Sequence, residues 1–183
     1  NREPPLFFCK PADAVVANGS AIPYPLATKS LHHEVELVVA LKSGGTHIKP
    51  EAGLGLVFGY AVGVDLTRRD LQQAMREKGR PWDVGKAFDR AAPMGALLPA
   101  SNNFNVNKSA IALTVNGEVK QSSDIGDMIW NVPDIIAHLS GLFELKAGDL
   151  IFTGTPAGVG QLKPGDRFDA TIAGLPALNF SIA

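Results

Sequence analysis

The run Leu31-His-His-Glu-Val-Glu-Leu-Val-Val-Ala-Leu41 constrains this chain more than any other segment. It is rich in valine and leucine and alternates, which predicts a β-strand. Leu31, Val35, Leu37, Val39 and Leu41 share one face, and His32, Glu34 and Glu36 share the other. Side chains two residues apart on a strand emerge on the same side, about 6.5 Å apart. Two carboxylates so placed repel each other, and one tends to take up a proton. A hard divalent cation between them relieves the repulsion. A solvent-facing polar edge of an antiparallel strand accounts for the segment equally well.

Other strand-like runs are short: Pro5 to Cys9, Val57 to Asp65, Ile111 to Val115, Leu150 to Thr153 and Arg167 to Ile172. Val115-Asn-Gly-Glu118 carries the Asn-Gly pair of a tight hairpin. A helix is expected over residues 65–79, capped by Asp65 or Thr67 and stopped at Gly79. A second is expected over 132–141, with Pro133 in its first turn and Ile135, Ile136 and Leu139 at helical spacing. Strands outnumber helices and do not alternate with them strictly, so the expected class is α+β with a mixed, curled sheet. With 183 residues and no linker or repeat, a single domain over 1–183 is expected.

A third carboxylate, Asp65, closes Gly59-Tyr-Ala-Val-Gly-Val-Asp65, where a strand opens into a helix. Rigid backbone at such a junction presents a ligand well, and a helix-capping aspartate explains the position equally. Glu34, Glu36 and Asp65 together form an all-oxygen donor set suited to Mg²⁺ or Mn²⁺ rather than zinc. Arg69 and Gln72 follow on one face of the expected helix. From there the Arg69 fork can meet an anionic carboxylate over the metal. Lys86 lies in Val84-Gly-Lys-Ala-Phe-Asp89, whose glycine and aromatic neighbours suggest a pinned loop. Lys10 is a further cation of interest. Thr155, in Thr153-Gly-Thr-Pro-Ala-Gly-Val-Gly160, has a hydroxyl and neighbouring backbone N–H groups that can hold an anion, or that form a tight structural turn. This loop is neither a Walker motif nor a dinucleotide fingerprint, because the glycines are wrongly spaced.

Charge narrows the partners. A net charge of −1 argues against nucleic acid and anionic membrane surfaces. No apolar stretch approaches the roughly 18 residues of a membrane span. The single cysteine, Cys9, cannot form an internal disulfide, and as a structural thiol it favours the cytoplasm.

In order and spacing, these segments resemble the fumarylacetoacetate hydrolase family, particularly its small members acting on acylpyruvates and oxaloacetate. The matching pieces are Leu6-Phe-Phe-Cys-Lys-Pro11, His32-His-Glu-Val-Glu-Leu37, Gly59 to Gln72, Lys78-Gly-Arg-Pro-Trp82, Gly85-Lys-Ala-Phe-Asp89, Val115-Asn-Gly117, Asp127-Met-Ile129 and Leu150 to Gly160. The resemblance implies a β-roll core and a homodimer, with Mg²⁺ or Mn²⁺ held by Glu34, Glu36 and Asp65. It places Arg69, Gln72, Lys86 and Thr155 on a small 2-oxo acid substrate, with Lys10 as a further contact. Lys86 and His33 are then expected to be catalytic, His33, with His32, lying beside the metal ligands and supporting the site rather than acting as the water-activating base.

Small members also carry an upstream lid with an Asn-Tyr pair, a histidine and a glutamate that activates water. The sequence begins downstream of that position, so the expected domain lacks the lid. The implied activity is metal-dependent C–C hydrolysis of acylpyruvates such as fumarylpyruvate. Oxaloacetate decarboxylation (lyase chemistry), 2-oxo acid keto–enol isomerisation and non-catalytic metal or ligand binding are the alternatives.

Overall fold

The computed structural model describes residues 2–183. In chain order its first strands are β1 (Val15–Ala17), β2 (Ala21–Ile22), β3 (Leu31–His33), β4 (Val35–Leu41) and β5 (Val57–Val64). There follow β6 (Thr67–Arg68), β7 (Ala92–Met94), β8 (Leu98–Pro99), β9 (Ala110–Val115) and β10 (Glu118–Asp124). The last four are β11 (Leu150–Phe152), β12 (Gly160–Leu162), β13 (Arg167–Ile172) and β14 (Leu178–Ile182). The helices are short: α1 (Pro50–Gly53), α2 (Arg69–Glu77), α3 (Asp83–Lys86) and α4 (Val132–Ser140). This is the mixed α+β architecture that the sequence predicts.

One sheet runs β1-β7-β5-β4-β11, with β8 also paired to β5. A second runs β10-β9-β13-β14-β2, and β12-β3-β6 form a small third. Most pairs are antiparallel, but β1 with β7 and β2 with β14 are parallel. The inward residues of β4 (Val35, Leu37, Val39, Leu41) and β5 (Val62, Val64) join Leu113, Phe168, Ala170, Leu178 and Ile182 of the second sheet in one hydrophobic core. No described helix is long and apolar enough to cross a membrane.

The Asn-Gly hairpin forms as expected. Asn116 and Gly117 both adopt positive φ, 52° and 82°, as a tight turn between β9 and β10 requires. Helix α4 also starts where the sequence places it, with Pro133 in the first turn and the Asn131 side chain accepting from the Asp134 N–H.

Three expectations change. The run from Leu31 to Leu41 is two strands, interrupted at Glu34. β3 pairs with β12 and β6, whereas β4 pairs with β5 and β11. The stretch Pro5 to Cys9 is extended but unpaired, so Lys10 does not close a strand. Helix α2 begins at Arg69, and neither Asp65 nor Thr67 caps it; Thr67 lies in β6 and the Asp65 carboxylate is engaged by lysines. The alternating pattern could not reveal the first change, because an interruption between two ladders leaves the side-chain period intact.

Gly63 stands opposite Glu36 in the β4–β5 ladder. A Cβ there would lie 2.4 Å from Val38 Cγ2 and 2.6 Å from Phe152 Cε1, so this position must stay bare for β4, β5 and β11 to close. Gly63→Ala should therefore lower the free energy of urea unfolding by about 1–3 kcal/mol, the usual cost of overpacking a core. An unchanged unfolding midpoint would show that the neighbours move aside freely.

Candidate active site

Two adjacent strands bring the carboxylates together. The Asp65 N–H, just past β5, donates to the Glu34 carbonyl at 2.8 Å, which sets those two residues side by side. Glu36 follows on β4, and ligand atoms from Glu34, Glu36 and Asp65 all lie within 4.8 Å of one another. The three residues are 8%, 4% and 2% exposed, so the solvent-facing reading of the glutamate pair falls away.

Buried carboxylates require compensating charge. The Lys86 ammonium, itself buried at the end of α3, donates to Glu34 Oε2 at 2.8 Å, Asp65 Oδ2 at 2.5 Å and Thr67 Oγ1 at 2.6 Å. Arg69, in the first turn of α2, pairs with Glu34 Oε1 and donates to Gln72 Oε1 at 2.6 Å. Lys10 reaches Asp65 Oδ1 at 2.7 Å and donates to the Leu66 and Lys86 carbonyls at 3.1 and 2.6 Å. Lys10, which the resemblance offers as a further substrate contact, lines the same cavity as the carboxylates and ties the N-terminal segment to both the aspartate and the Lys86 backbone.

These neighbours split the carboxylates electrostatically. Burial opposes ionisation of Glu34, but Lys86 and Arg69 outweigh it and hold its pKa below the ordinary value. Burial raises Asp65 despite Lys10 and Lys86. Glu36 has no such cation in contact. Burial first, then the Asp65 charge, push its pKa up to about 8, against which the Gly154 N–H donating to Oε2 at 2.8 Å is insufficient.

The donor set fits a hard divalent cation. Its three oxygen ligands converge, and Asp65 Oδ1 is fully buried with no hydrogen bond aligned to it, although Lys10 lies close. Three carboxylates this close, with no cation in contact with Glu36, are the donor set and the charge deficit that such an ion meets.

The trio lies at the floor of a cavity of about 1040 Å³. Lys86, Gln72 and Thr155 also line it, and its outer walls are largely apolar, including Phe8, Trp82, Trp130 and Phe143. The Phe8 ring covers Lys86, with Nζ 4.9 Å from its centroid. Thr155 sits beside the ligand strand, its hydroxyl donating to the Val35 carbonyl at 2.8 Å.

His33, expected beside the metal ligands, is buried beneath the site and does not line the cavity, and its Nδ1 meets Gln121 Oε1 at 2.9 Å. Burial lowers its pKa below the ordinary histidine value. His32, with Nε2 3.0 Å from Ser30 Oγ, is lowered to about 4 by burial and by Arg69. Gln121 escaped the sequence reading. Its neighbours Val119 and Lys120 read as the outgoing arm of a hairpin, and nothing local marks an amide in that arm as buried.

The whole chain, residues 1–183, matches the family model described as fumarylacetoacetate (FAA) hydrolase C-terminal. A fumarylpyruvate hydrolase from Ralstonia sp is 41% identical over 180 residues, covering 98% of this chain and 93% of that protein. The human mitochondrial oxaloacetate tautomerase FAHD1 is 38% identical over 178 residues, covering 97% of this chain and 80% of that protein. Among solved structures, a fumarylpyruvate hydrolase from Pseudomonas aeruginosa in complex with Mn²⁺ and pyruvate superposes with a TM-score of 0.95. It is 53% identical, and the match covers all of this chain and 80% of that one.

A raised Glu36 pKa makes the metal-free protein sensitive to pH. The folded state keeps a proton that the unfolded chain has already lost, so the contribution of this group is complete below about pH 4.5 and disappears as pH rises through about 8. With the metal chelated, the stability difference between Glu36→Gln and the wild type should therefore shift in favour of the variant across that window. Urea unfolding at a series of pH values measures it. A difference that stays flat would mean that Glu36 ionises normally.

Proposed function

The chain belongs to the fumarylacetoacetate hydrolase family, and we propose that it is a metal-dependent enzyme cleaving the C–C bond of acylpyruvates, fumarylpyruvate among them, to pyruvate and a carboxylic acid. The observation that carries this reading is the buried trio of Glu34, Glu36 and Asp65 with the Lys86 ammonium set directly against two of its members. Kinship with fumarylpyruvate hydrolases, one of them in complex with Mn²⁺ and pyruvate, supports it.

In this proposal Glu34, Glu36 and Asp65 hold Mn²⁺ or Mg²⁺. When bound, the ion supplies concentrated positive charge beside the carboxylate and keto oxygens of a 2-oxo acid. The residues of the chain do the rest. Arg69, whose guanidinium already engages Gln72 and Glu34, offers a planar fork to the substrate carboxylate. Water adds to the distal C4 carbonyl, and the C3–C4 bond then breaks, the acyl half leaving as the carboxylic acid. The bonding pair stays on the pyruvyl half with its charge spread onto the keto oxygen, and protonation at C3 gives pyruvate. Lys86 Nζ, a fixed cation almost fully shielded from water, stabilises that oxygen as the charge develops. The Phe8 ring over Lys86 keeps solvent from weakening the interaction. Thr155, next to the ligand strand, completes the polar floor, and the apolar outer walls receive the acyl arm. His33, held beneath the floor by Gln121, supports the site rather than meeting substrate. A homodimer belongs to the same proposal, and light scattering would test it.

A second reading has its own support. Oxaloacetate keto–enol tautomerisation passes through a related 2-oxo acid enolate, with the C3–C4 bond kept, and the human oxaloacetate tautomerase is a relative. Decarboxylation of oxaloacetate gives the pyruvate enolate itself. The three reactions differ in products: carboxylic acid plus pyruvate, enol converted to ketone without loss of carbon, or pyruvate plus carbon dioxide.

Turnover of fumarylpyruvate and of both oxaloacetate tautomers, assayed side by side with Mn²⁺, tests these readings. The proposal expects fast release of pyruvate from fumarylpyruvate, abolished by a chelator and by Glu34→Ala. Fast tautomer exchange without pyruvate release would replace hydrolase with tautomerase. Lys86→Met should lower kcat by on the order of 10²-fold or more, the usual cost of losing a donor to developing charge. An equal kcat would reduce Lys86 to a structural counter-ion.

A further inference from the structure

We infer that Gln121 is a positioning residue for the carboxylate floor: its amide replaces the missing ladder partner of the Glu34–Glu36 segment. The inference rests on the metal-site reading above. Gln121 stands on β10, in the second sheet, yet it is 1% exposed and reaches across to the first. A bulge makes this possible. Val119 faces Thr114 and Gln121 faces Leu113, so Lys120 is the extra residue. Without that insertion, Gln121 would share the outward face of Val119, which is 61% exposed. The bulge instead re-aims the side chain inward.

All four hydrogen-bonding positions of the Gln121 amide are used. Oε1 accepts from the Val35 N–H at 3.1 Å and from His33 Nδ1 at 2.9 Å. Nε2 donates to Thr155 Oγ1 at 2.8 Å and to the Pro156 carbonyl at 2.9 Å. The amide orientation follows from chemistry, since a backbone N–H can only donate and a carbonyl can only accept. His33 is thereby fixed with its proton on Nδ1.

The bonds fall where the sheet runs out. β11 pairs with β4 only at Val38, Val39 and Ala40. Beyond that end the Thr153 N–H still donates to the Leu37 carbonyl at 3.1 Å, and from there side chains continue the ladder. The Thr153 hydroxyl donates to the Leu37 carbonyl at 2.9 Å, and Thr155 donates to the Val35 carbonyl while accepting from Gln121. Gln121 takes the Val35 N–H, the residue between the two glutamates, and His33, which precedes the first of them. It also holds the loop whose Gly154 N–H binds Glu36. That loop lies directly against the bulge: a Cβ on Gly158 would be 2.2 Å from the Lys120 carbonyl oxygen. One side chain thus couples the bulge, the loop and the backbone carrying two of the three carboxylates. It touches none of those carboxylates itself.

Gln121→Met keeps the length and volume but removes every one of these bonds. Mn²⁺ binding, followed by the electron paramagnetic resonance of the free ion, should weaken by about 10–100-fold, as losses of groups that orient metal ligands do. Ile182→Ala, a core truncation in β14 away from the cavity, serves as the stability control and should bind Mn²⁺ with the wild-type Kd while melting earlier. A Gln121→Met protein that melts earlier but binds Mn²⁺ as tightly as wild type would overturn the inference and leave the metal site standing. A wild type that binds no Mn²⁺ would overturn the metal-site reading and the inference with it. Should Gln121→Met fail to fold, Gln121→Asn carries the test: one methylene shorter, it cannot reach both strands, and a wild-type Kd would again overturn the positioning role.

Discussion

Everything near the cavity floor follows from one electrostatic constraint: three carboxylates are buried within a few ångströms of one another, and a folded protein tolerates that only with compensating charge. Lys86, Lys10 and Arg69 supply it, unevenly. Lys86 bridges Glu34 and Asp65, Arg69 pairs with Glu34, and Lys10 pairs with Asp65. Glu36 is left with a single backbone N–H, and its pKa rises accordingly. The deficit lies on the cavity side, where an added cation would meet it.

The compensating residues come from segments far apart in the chain, and their requirements explain much of the fold. Lys10 belongs to an unpaired segment whose anchoring depends on Asp65 and two backbone carbonyls rather than on a ladder. Lys86 needs α3 folded against α2; Gly85 permits this, since a Cβ there would sit 2.8 Å from the Gln72 nitrogen. Within the core, β4 and β5 are buried on both faces, which gives the carboxylates a rigid base. The same rigidity makes the floor dependent on whatever finishes the β4 ladder past β11.

Legibility in the sequence varied with the range of the interaction involved. The Asn116-Gly117 turn and the start of α4 at Val132 depend on neighbours within a few residues, and both were read correctly. The glutamate pair was legible because two carboxylates at strand spacing demand an explanation wherever they lie. The break at Glu34, the inward turn of Gln121 and the site of Lys10 were not legible. Each depends on a partner dozens of residues away, and none alters local composition. His33 shows the difference sharply: adjacency to Glu34 suggested a place in the site, yet its side chain is taken by Gln121, 88 residues on in the chain.

By itself, then, the sequence determined the chemistry available: which acids, cations and hydroxyls exist, the α+β class, and the local turns that need no distant partner. The tertiary structure alone decided which cations neutralise which carboxylates, which face His33 takes, and how Gln121 closes an unfinished ladder. The physical reason is that charge compensation and hydrogen-bond satisfaction are properties of what lies within a few ångströms, and for Lys10, Lys86 and Gln121 those neighbours are distant in the chain.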